Sequence, residues 1–369
     1  MPNSSGSAAR RPATAAGKGV PPLADSPGMH ETTTVDPANL RVVATGLRFP
    51  EGPVALAGGA VLVVEIARGT LTRVEPDGIT EVVAECGGGP NGAAVGPDGA
   101  VYVCNNGGCF DWQDRFGLTF PGSPPPASWP GHGSVQRVDL ATGDVTTLLT
   151  ECDGHPLRAP NDLVVDAAGG IWFTDHGVRQ ERTSDVTGAY WCAPDGGDVR
   201  DVREVAFPLD APNGIGLSPD GDRLYVAETH TGRLWGWDVT GPGQLSRTGL
   251  LAPHGAELIA DPGRGALFDS LAVDGDGWVC VATLGGQPGI TAFSPDGTRA
   301  EYTPLPDPLT TNICFALEGR IAFATLSGTG QLVAFDWPRA GGRLPFAAGA
   351  IRTGQPAFGK GETIVSSLS

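Results

Sequence analysis

Three features of the 369-residue sequence predict an all-β fold, a six-bladed β-propeller. Pro-Asp-Gly recurs at Pro76-Asp77-Gly78, Pro97-Asp98-Gly99, Pro194-Asp195-Gly196, Pro219-Asp220-Gly221 and Pro295-Asp296-Gly297. Pro presets the turn, Asp bonds its own backbone and Gly supplies φ > 0, so each reads as a tight hairpin turn. Two series of short β-branched and aromatic runs surround these turns, and a third run with a polar opening precedes each member of the first series. The result is six units of about 40 to 50 residues, the size of propeller blades.

The first series is Val61–Val64, Val101–Cys104, Ile171–Thr174, Leu224–Ala227, Trp278–Val281 and Ile321–Ala324. The second is Leu71–Val74, Val135–Val138, Ala189–Cys192, Leu234–Trp237, Ile290–Phe293 and Leu332–Phe335. The openers are Glu51-Gly52-Pro53, Pro90-Asn91-Gly92, Pro160-Asn161-Asp162, Pro212-Asn213-Gly214, Phe268-Asp269-Ser270 and Thr311-Asn312-Ile313. No stretch has a 3.6-residue amphipathic period, so little helix is expected. A single blade cannot bury both faces, so the six must close into a ring. Leu40–Ala44, ahead of the first opener, is expected to lend a strand to the last blade and close it.

Residues 1–38 are rich in Ser, Ala, Gly and Pro and are expected to be a disordered extension. Arg10 and Arg11 have no apolar stretch behind them, so this is not a secretory signal, and Met29 offers an alternative start. The propeller is assigned to residues 39–340. Residues 341–369 form a Gly- and Ala-rich tail, expected to be partly disordered or packed on the last blade. Between Asn105 and Ser134 lies a long loop containing Phe110, Trp112 and Trp129, expected to be an ordered lid.

The net charge is −17, which repels nucleic acid and anionic membranes. No apolar run approaches the length of a membrane span. A small-molecule substrate and a monomer or weak homo-oligomer are expected. The cysteines number seven, an odd count in a large chain. Several lie within apolar strands, which points to structural thiols and a reducing cytoplasm.

In a propeller the innermost strand of every blade starts at the same end of the central channel, so the openers converge. Asn-Gly and Asn-Asp taken singly are turn formers. Glu51, Asn161, Asn213 and Asp269 together offer oxygen donors, which suit a hard cation such as calcium. Two carboxylates would neutralise that ion, and buried carboxylates need such a partner. Zinc would want His or Cys, and none stands at the openers. Zinc, manganese or magnesium nevertheless remain alternatives to calcium.

The sequence resembles the family of senescence marker protein (regucalcin), gluconolactonase and luciferin-regenerating enzyme. The resemblance rests on Phe49-Pro50-Glu51-Gly52-Pro53, Ala159-Pro160-Asn161-Asp162-Leu163, Ile171-Trp172-Phe173-Thr174-Asp175, Pro212-Asn213-Gly214-Ile215, Tyr225-Val226-Ala227-Glu228-Thr229 and Asp269-Ser270-Leu271-Ala272. It implies a six-bladed propeller with a central divalent cation held by Glu51, Asn213 and Asp269. Asn161 becomes a fourth ligand or a substrate contact. Asn91 and Asn312 share the register without matching ligand positions. Arg158 stands three residues before Asn161 where regucalcin-like members carry an Arg two residues before, so Arg158 is only a candidate clamp for a sugar acid.

The implied reaction is hydrolysis of a lactone, with the ion polarising the carbonyl and water attacking it. Asp269 is the candidate general base and Asp175 an alternative. Asn91 and Asn105 are expected to orient substrate. His176, His230 and His132 are further candidate bases, each also readable as an ordinary loop histidine; His176 is placed among the substrate contacts. Asp274-Gly275-Asp276-Gly277 reads as a hairpin turn. The alternatives are a hydrolase of other electrophiles, a specialised pathway enzyme using the same pocket, and a calcium-binding sensor propeller.

Overall fold

A computed structural model describes residues 32–250, 252–263 and 265–347. Six antiparallel sheets follow one another along the chain, each a meander starting at an opener. Blade one is Pro50–Ala55, Val61–Glu65, Thr70–Val74 and Thr80–Glu85. Blade two is Pro90–Val95, Val101–Asn105, Ser134–Val138 and Val145–Leu149. Blade three is Pro160–Val165, Ile171–Asp175, Thr187–Asp195 and Asp198–Leu209. Blade four is Pro212–Leu217, Arg223–Glu228, Arg233–Gly241 and Glu257–Ala260. Blade five is Leu267–Val273, Val279–Leu284, Gly289–Phe293 and Ala300–Pro304, and blade six is Thr310–Phe315, Ile321–Leu326 and Gln331–Asp336.

The fourth strand of blade six comes from the other end of the propeller, as expected. Arg41–Ala44 pairs antiparallel with Gln331–Asp336, Arg41 opposite Ala334. The unstructured extension expected to run to residue 38 needs correcting at its end. Thr32–Thr34 pairs parallel with Ala300–Pro304 on the outer edge of blade five, satisfying backbone groups that an open edge would leave to solvent. Residues 1–31 lie outside the described residues. Of the tail, Gly341 bridges to Asp274, and the Gly275 N–H donates to the Ala340 carbonyl at 2.8 Å. Residues 348–369 lie outside the described residues.

The glycine of each Pro-Asp-Gly takes a positive φ, from 63° at Gly196 to 89° at Gly78, as the turn reading requires. No α-helix occurs among the described residues. The core is divided between the blades. Six apolar clusters each bridge two neighbouring blades, including one between blade six and blade one. The ring therefore holds through sheet-on-sheet burial, and fully burying each large side chain, such as Trp172 or Phe173, contributes about 1.5–3 kcal/mol.

Every inner strand carries a register shift just past its opener: between Glu51 and Val54, Pro90 and Ala93, Pro160 and Leu163, Pro212 and Ile215, Phe268 and Leu271, and Thr310 and Asn312. A bulge bends the strand and re-aims side chains. Here it turns the opener to one end of the channel and the next residue inward. That next residue is glycine in three blades because the adjacent blade's backbone occupies the space. A Cβ on Gly52 would lie 2.7 Å from the Asn91 carbonyl oxygen, one on Gly92 2.6 Å from that of Asn161, and one on Gly214 2.5 Å from the Leu271 nitrogen.

Gly92→Ala is expected to destabilise the protein by about 1–3 kcal/mol, the usual cost of overpacking. Urea unfolding measures it, and an unchanged midpoint would disprove this account of the inter-blade contact.

Candidate active site

The inner and second strands pair identically around the ring. Pro50 lies opposite Glu65, Pro90 opposite Asn105, Pro160 opposite Asp175, Pro212 opposite Glu228, Phe268 opposite Thr283 and Thr310 opposite Leu326. The residue following the first member of each pair is the opener. In blade six this is Thr311, so the expectation that Asn312 shares the register is corrected: the bulge sets it one place further on. Asn312 instead donates from Nδ2 to Glu51 Oε2 at 2.6 Å.

Side chains at the ends of the second strands hold the openers in place. Arg48 N donates to Glu65 Oε2 at 2.6 Å, Gly89 N to Asn105 Oδ1 at 2.9 Å, and Asp210 N to Glu228 Oε1 at 2.8 Å. Asp175 accepts from Arg158 N at 2.6 Å, Ala159 N at 2.7 Å and Gly177 N at 3.0 Å. The N–H one residue further on then bonds back across the loop. Ile66, Asn106, His176, Thr229 and Ser327 donate to the carbonyls of Phe49, Gly89, Ala159, Ala211 and Leu309, at 2.9–3.1 Å.

All six openers reach one cavity of about 170 Å³. Its floor is Glu51, Asn91, Asn161, Asn213, Asp269 and Thr311. Asn106, His176 and Thr229 add polar groups from the second-strand ends, and Phe49, Ile66, Phe110, Pro121, Ala159, Leu284 and Leu309 make the wall. The four residues assigned from sequence to a cation therefore come together, with Asn91 and His176.

Two assigned substrate contacts do not reach the cavity. Asn105 is consumed by structure: besides Gly89 N, its Oδ1 accepts from Gly107 N, and its Nδ2 donates to the Gly87 carbonyl and Gln136 Oε1. Arg158 points to the lid. Its Nε donates to Asp185 Oδ2 at 2.9 Å, a terminal nitrogen donates to the Gly131 carbonyl, and the guanidinium lies 4.7 Å from the Trp129 ring. Asp175, the alternative base, has its oxygens on backbone N–H groups and lines no part of the cavity. His132 is also outside it. His230 stands behind His176, with ring centroids 5.7 Å apart, and its Nδ1 lies 2.9 Å from Asp210 Oδ1.

The sequence reading missed Asn106, Thr229, Ile66 and Leu284. Each follows the pairing residue at the end of a second strand, so the same position recurs at Ile66, Asn106, His176, Thr229 and Leu284. Counting register from both strands would have found all five.

The lid is ordered. Asp111–Arg115 and Leu118–Gly122 form a hairpin, and Thr119 N donates to the Gly328 carbonyl at 2.9 Å, so the lid spans from blade two to blade six. Trp112 lies 4.9 Å from Phe49 and 5.5 Å from Phe110 between ring centroids. Trp129 Nε1 donates to the Asn106 carbonyl at 3.1 Å. All seven cysteines are buried and unpaired. Burial raises thiols such as Cys104 and Cys109 above their usual range, so they pack rather than react.

The floor concentrates acid without a counter-charge. Burial pushes the Glu51 carboxyl up to about 7, against hydrogen bonds from Asn312 and Gly52 that favour the anion. Burial first, then the charge of Glu51, pushes Asp162 up to about 8 and holds Asp269 well above the carboxylate range. No Lys or Arg lines the cavity among the described residues. Asn161 Oδ1 is buried without a hydrogen-bond partner. A divalent cation fits these residues, since it would compensate both acids and give that oxygen a partner. No three His, Cys, Asp or Glu side chains cluster for metal binding among the described residues; the donor set depends equally on Asn amides. Burial pushes His176 down to about 4. Its Nδ1 lies 3.2 Å from the Gly177 carbonyl, so the neutral ring donates there and Nε2 is the accepting nitrogen.

The SMP-30/Gluconolactonase/LRE-like description matches residues 49–327. The chain belongs to this family. A gluconolactonase of Zymomonas mobilis is 25% identical over 78% of this chain and 79% of its own length. The lactonase drp35 of Staphylococcus saprophyticus is 27% identical over 72% of each. Among solved structures, a gluconolactonase of Xanthomonas campestris superposes with a TM-score of 0.62 at 23% identity, covering 81% of this chain and 89% of its own. A calcium-binding regucalcin of Agrobacterium tumefaciens does so with a TM-score of 0.59 at 19% identity, over 85% and 100%. At these identities the structural likeness concerns the fold, and it agrees with the six-bladed ring.

Asp175→Ala is expected to cost about 2–4 kcal/mol, because three N–H groups lose their acceptor; chemical denaturation reads it out. A second expectation concerns pH. Between about pH 6.5 and 8 the folded protein binds more protons than the unfolded chain, because Glu51 and Asp162 titrate higher when folded; below that range His176 and His254, both lowered to about 4, offset part of the effect. Stability in a chelator should therefore fall as pH rises through that window. Adding calcium chloride should flatten the slope, since a bound cation favours the ionised acids. Melting temperatures across the window, with and without calcium, check both.

Proposed function

We propose that this chain is a divalent-cation-dependent lactonase, with calcium the ion best suited to its oxygen donors. The observation that carries the reading is the convergence of openers from all six blades on one cavity. Two uncompensated carboxylates and the unpartnered Asn161 oxygen meet there. The names gluconolactonase and lactonase on its curated relatives support the reaction class.

Glu51, Asn161, Asn213 and Asp269 would hold the cation, which when bound supplies electrophilic stabilisation of the oxyanion developing on the ring carbonyl. Asn106 Nδ2 is buried and unpartnered and Asn91 lines the same cavity, so these amides orient the substrate. Asp269 accepts the proton of the attacking water. That proton then passes to the alkoxide released when the ring C–O bond breaks, giving the open-chain hydroxy acid. His176 presents its neutral Nε2 to the same cavity and is the second candidate acceptor. The buried, unpaired thiols support a reducing, cytoplasmic setting.

Asp269→Ala is expected to lower kcat/KM on a responsive lactone by about 10²-fold or more and to reduce bound calcium. Chelation should abolish acid release and calcium add-back should restore it. Full activity with full metal content in Asp269→Ala would rule out the assignment.

A further inference from the structure

We infer that the cavity selects a lactone bearing an alkyl or aryl substituent over a polyhydroxylated or anionic one, an inference that rests on the lactonase reading above. The polar side chains sit at the openers and, from blades two, three and four, at the second-strand ends. The surface left for a substituent is Phe49, Ile66, Phe110, Pro121, Leu284 and Leu309. A sugar lactone carries hydroxyls around its ring. Against this wall those hydroxyls lose their hydrogen bonds to water and gain none. An alkyl or aryl group loses nothing there and gains burial.

Charge points the same way. A sugar-acid substrate needs a cationic partner, and no Lys or Arg lines the cavity among the described residues. Arg158 is engaged by Asp185, the Gly131 carbonyl and the Trp129 face. An anionic substituent would meet Glu51 and Asp269 and no basic side chain among the described residues, in a chain of net charge −17.

The wall is also built rather than fortuitous. It draws on blades one, five and six and on the lid. Trp112 packs between Phe49 and Phe110, and the far side of the lid hairpin is tied to Gly328. The aromatic surface is thus fixed before substrate arrives, which lowers the ordering cost of binding.

The test uses unreactive δ-lactams, one with a short alkyl chain and one polyhydroxylated, titrated calorimetrically into the full chain in calcium chloride. The corresponding lactones are assayed in parallel. The alkyl lactam is expected to bind about tenfold or more tightly than the polyhydroxylated one. Phe110→Ser, in the lid, and Leu284→Ser, on the blade-five scaffold, should each shrink that ratio by about fivefold. Equal or tighter binding of the polyhydroxylated lactam, or an unchanged ratio in both folded variants, overturns the inference. If the polyhydroxylated pair is both bound and hydrolysed better, the lactonase reading stands and the selectivity falls. If the alkyl lactam is preferred and neither lactone opens, the selectivity stands and the lactonase reading falls.

Discussion

In five of the six blades, the N–H just past the second strand donates to the carbonyl two residues before the opener. This bond locks two segments of a blade into one rim, and the cavity is made of those segments. In four blades an acid or amide at the second strand's end adds a bond to the same stretch of backbone. The orientation of the openers follows from this scaffold. Phe49 and Ala211 even adopt positive φ, 56° and 51°, to make the turn, a conformation non-glycine residues tolerate only where surrounding structure imposes it.

That scaffold separates buried acids by role. Asp175, Glu65 and Glu228 are surrounded by backbone and side-chain donors and serve as structural acceptors. Glu51 and Asp269 sit where the bulge aims them at the channel and meet each other's charge. Burial raises carboxyls of both kinds, as at Asp175 and Glu51, so a raised acid does not by itself mark the site. The distinction is geometric. Asp175 has three backbone N–H donors, whereas the floor has an unpartnered amide oxygen and, among the described residues, no basic side chain.

The fold was legible because it is written in repeats. The Pro-Asp-Gly turns, the two strand series and the closing strand before Glu51 are local signals, and each appears where local chemistry places it. The openers were legible for the same reason. What sequence spacing could not supply was which way a side chain points beside a bulge. Asn105 and Asn106 are adjacent, yet both polar atoms of Asn105 are bonded within the fold, whereas Asn106, its Oδ1 on Gly108 N and Cys109 N, keeps an unpartnered Nδ2 and lines the cavity. Asn312 was misplaced by one residue for a related reason: its bulge falls between Thr310 and Asn312. Arg158 was read from its distance to Asn161 along the chain, but its partners are Asp185 and the lid, contacts no linear spacing encodes.

The bulge also makes the channel two-sided. Behind the openers lies the layer Gly52, Gly92, Asp162, Gly214, Ser270 and Asn312, and three of these have no side chain because adjacent blades touch there. Asp162 occupies this layer, and burial there pushes its carboxyl up to about 8. Beyond it a second, mainly apolar cavity opens, lined in part by Leu344, Pro345 and Ala347 of the tail. All six openers thereby line the cavity at one end and none lines the other. The glycine layer brings the blades close enough for six openers to meet, and the same closeness leaves only an acid, a hydroxyl and an amide behind them. Glu51 and Asp269 consequently face a cavity that no basic side chain lines among the described residues, and this asymmetry is what suits that cavity to a cation.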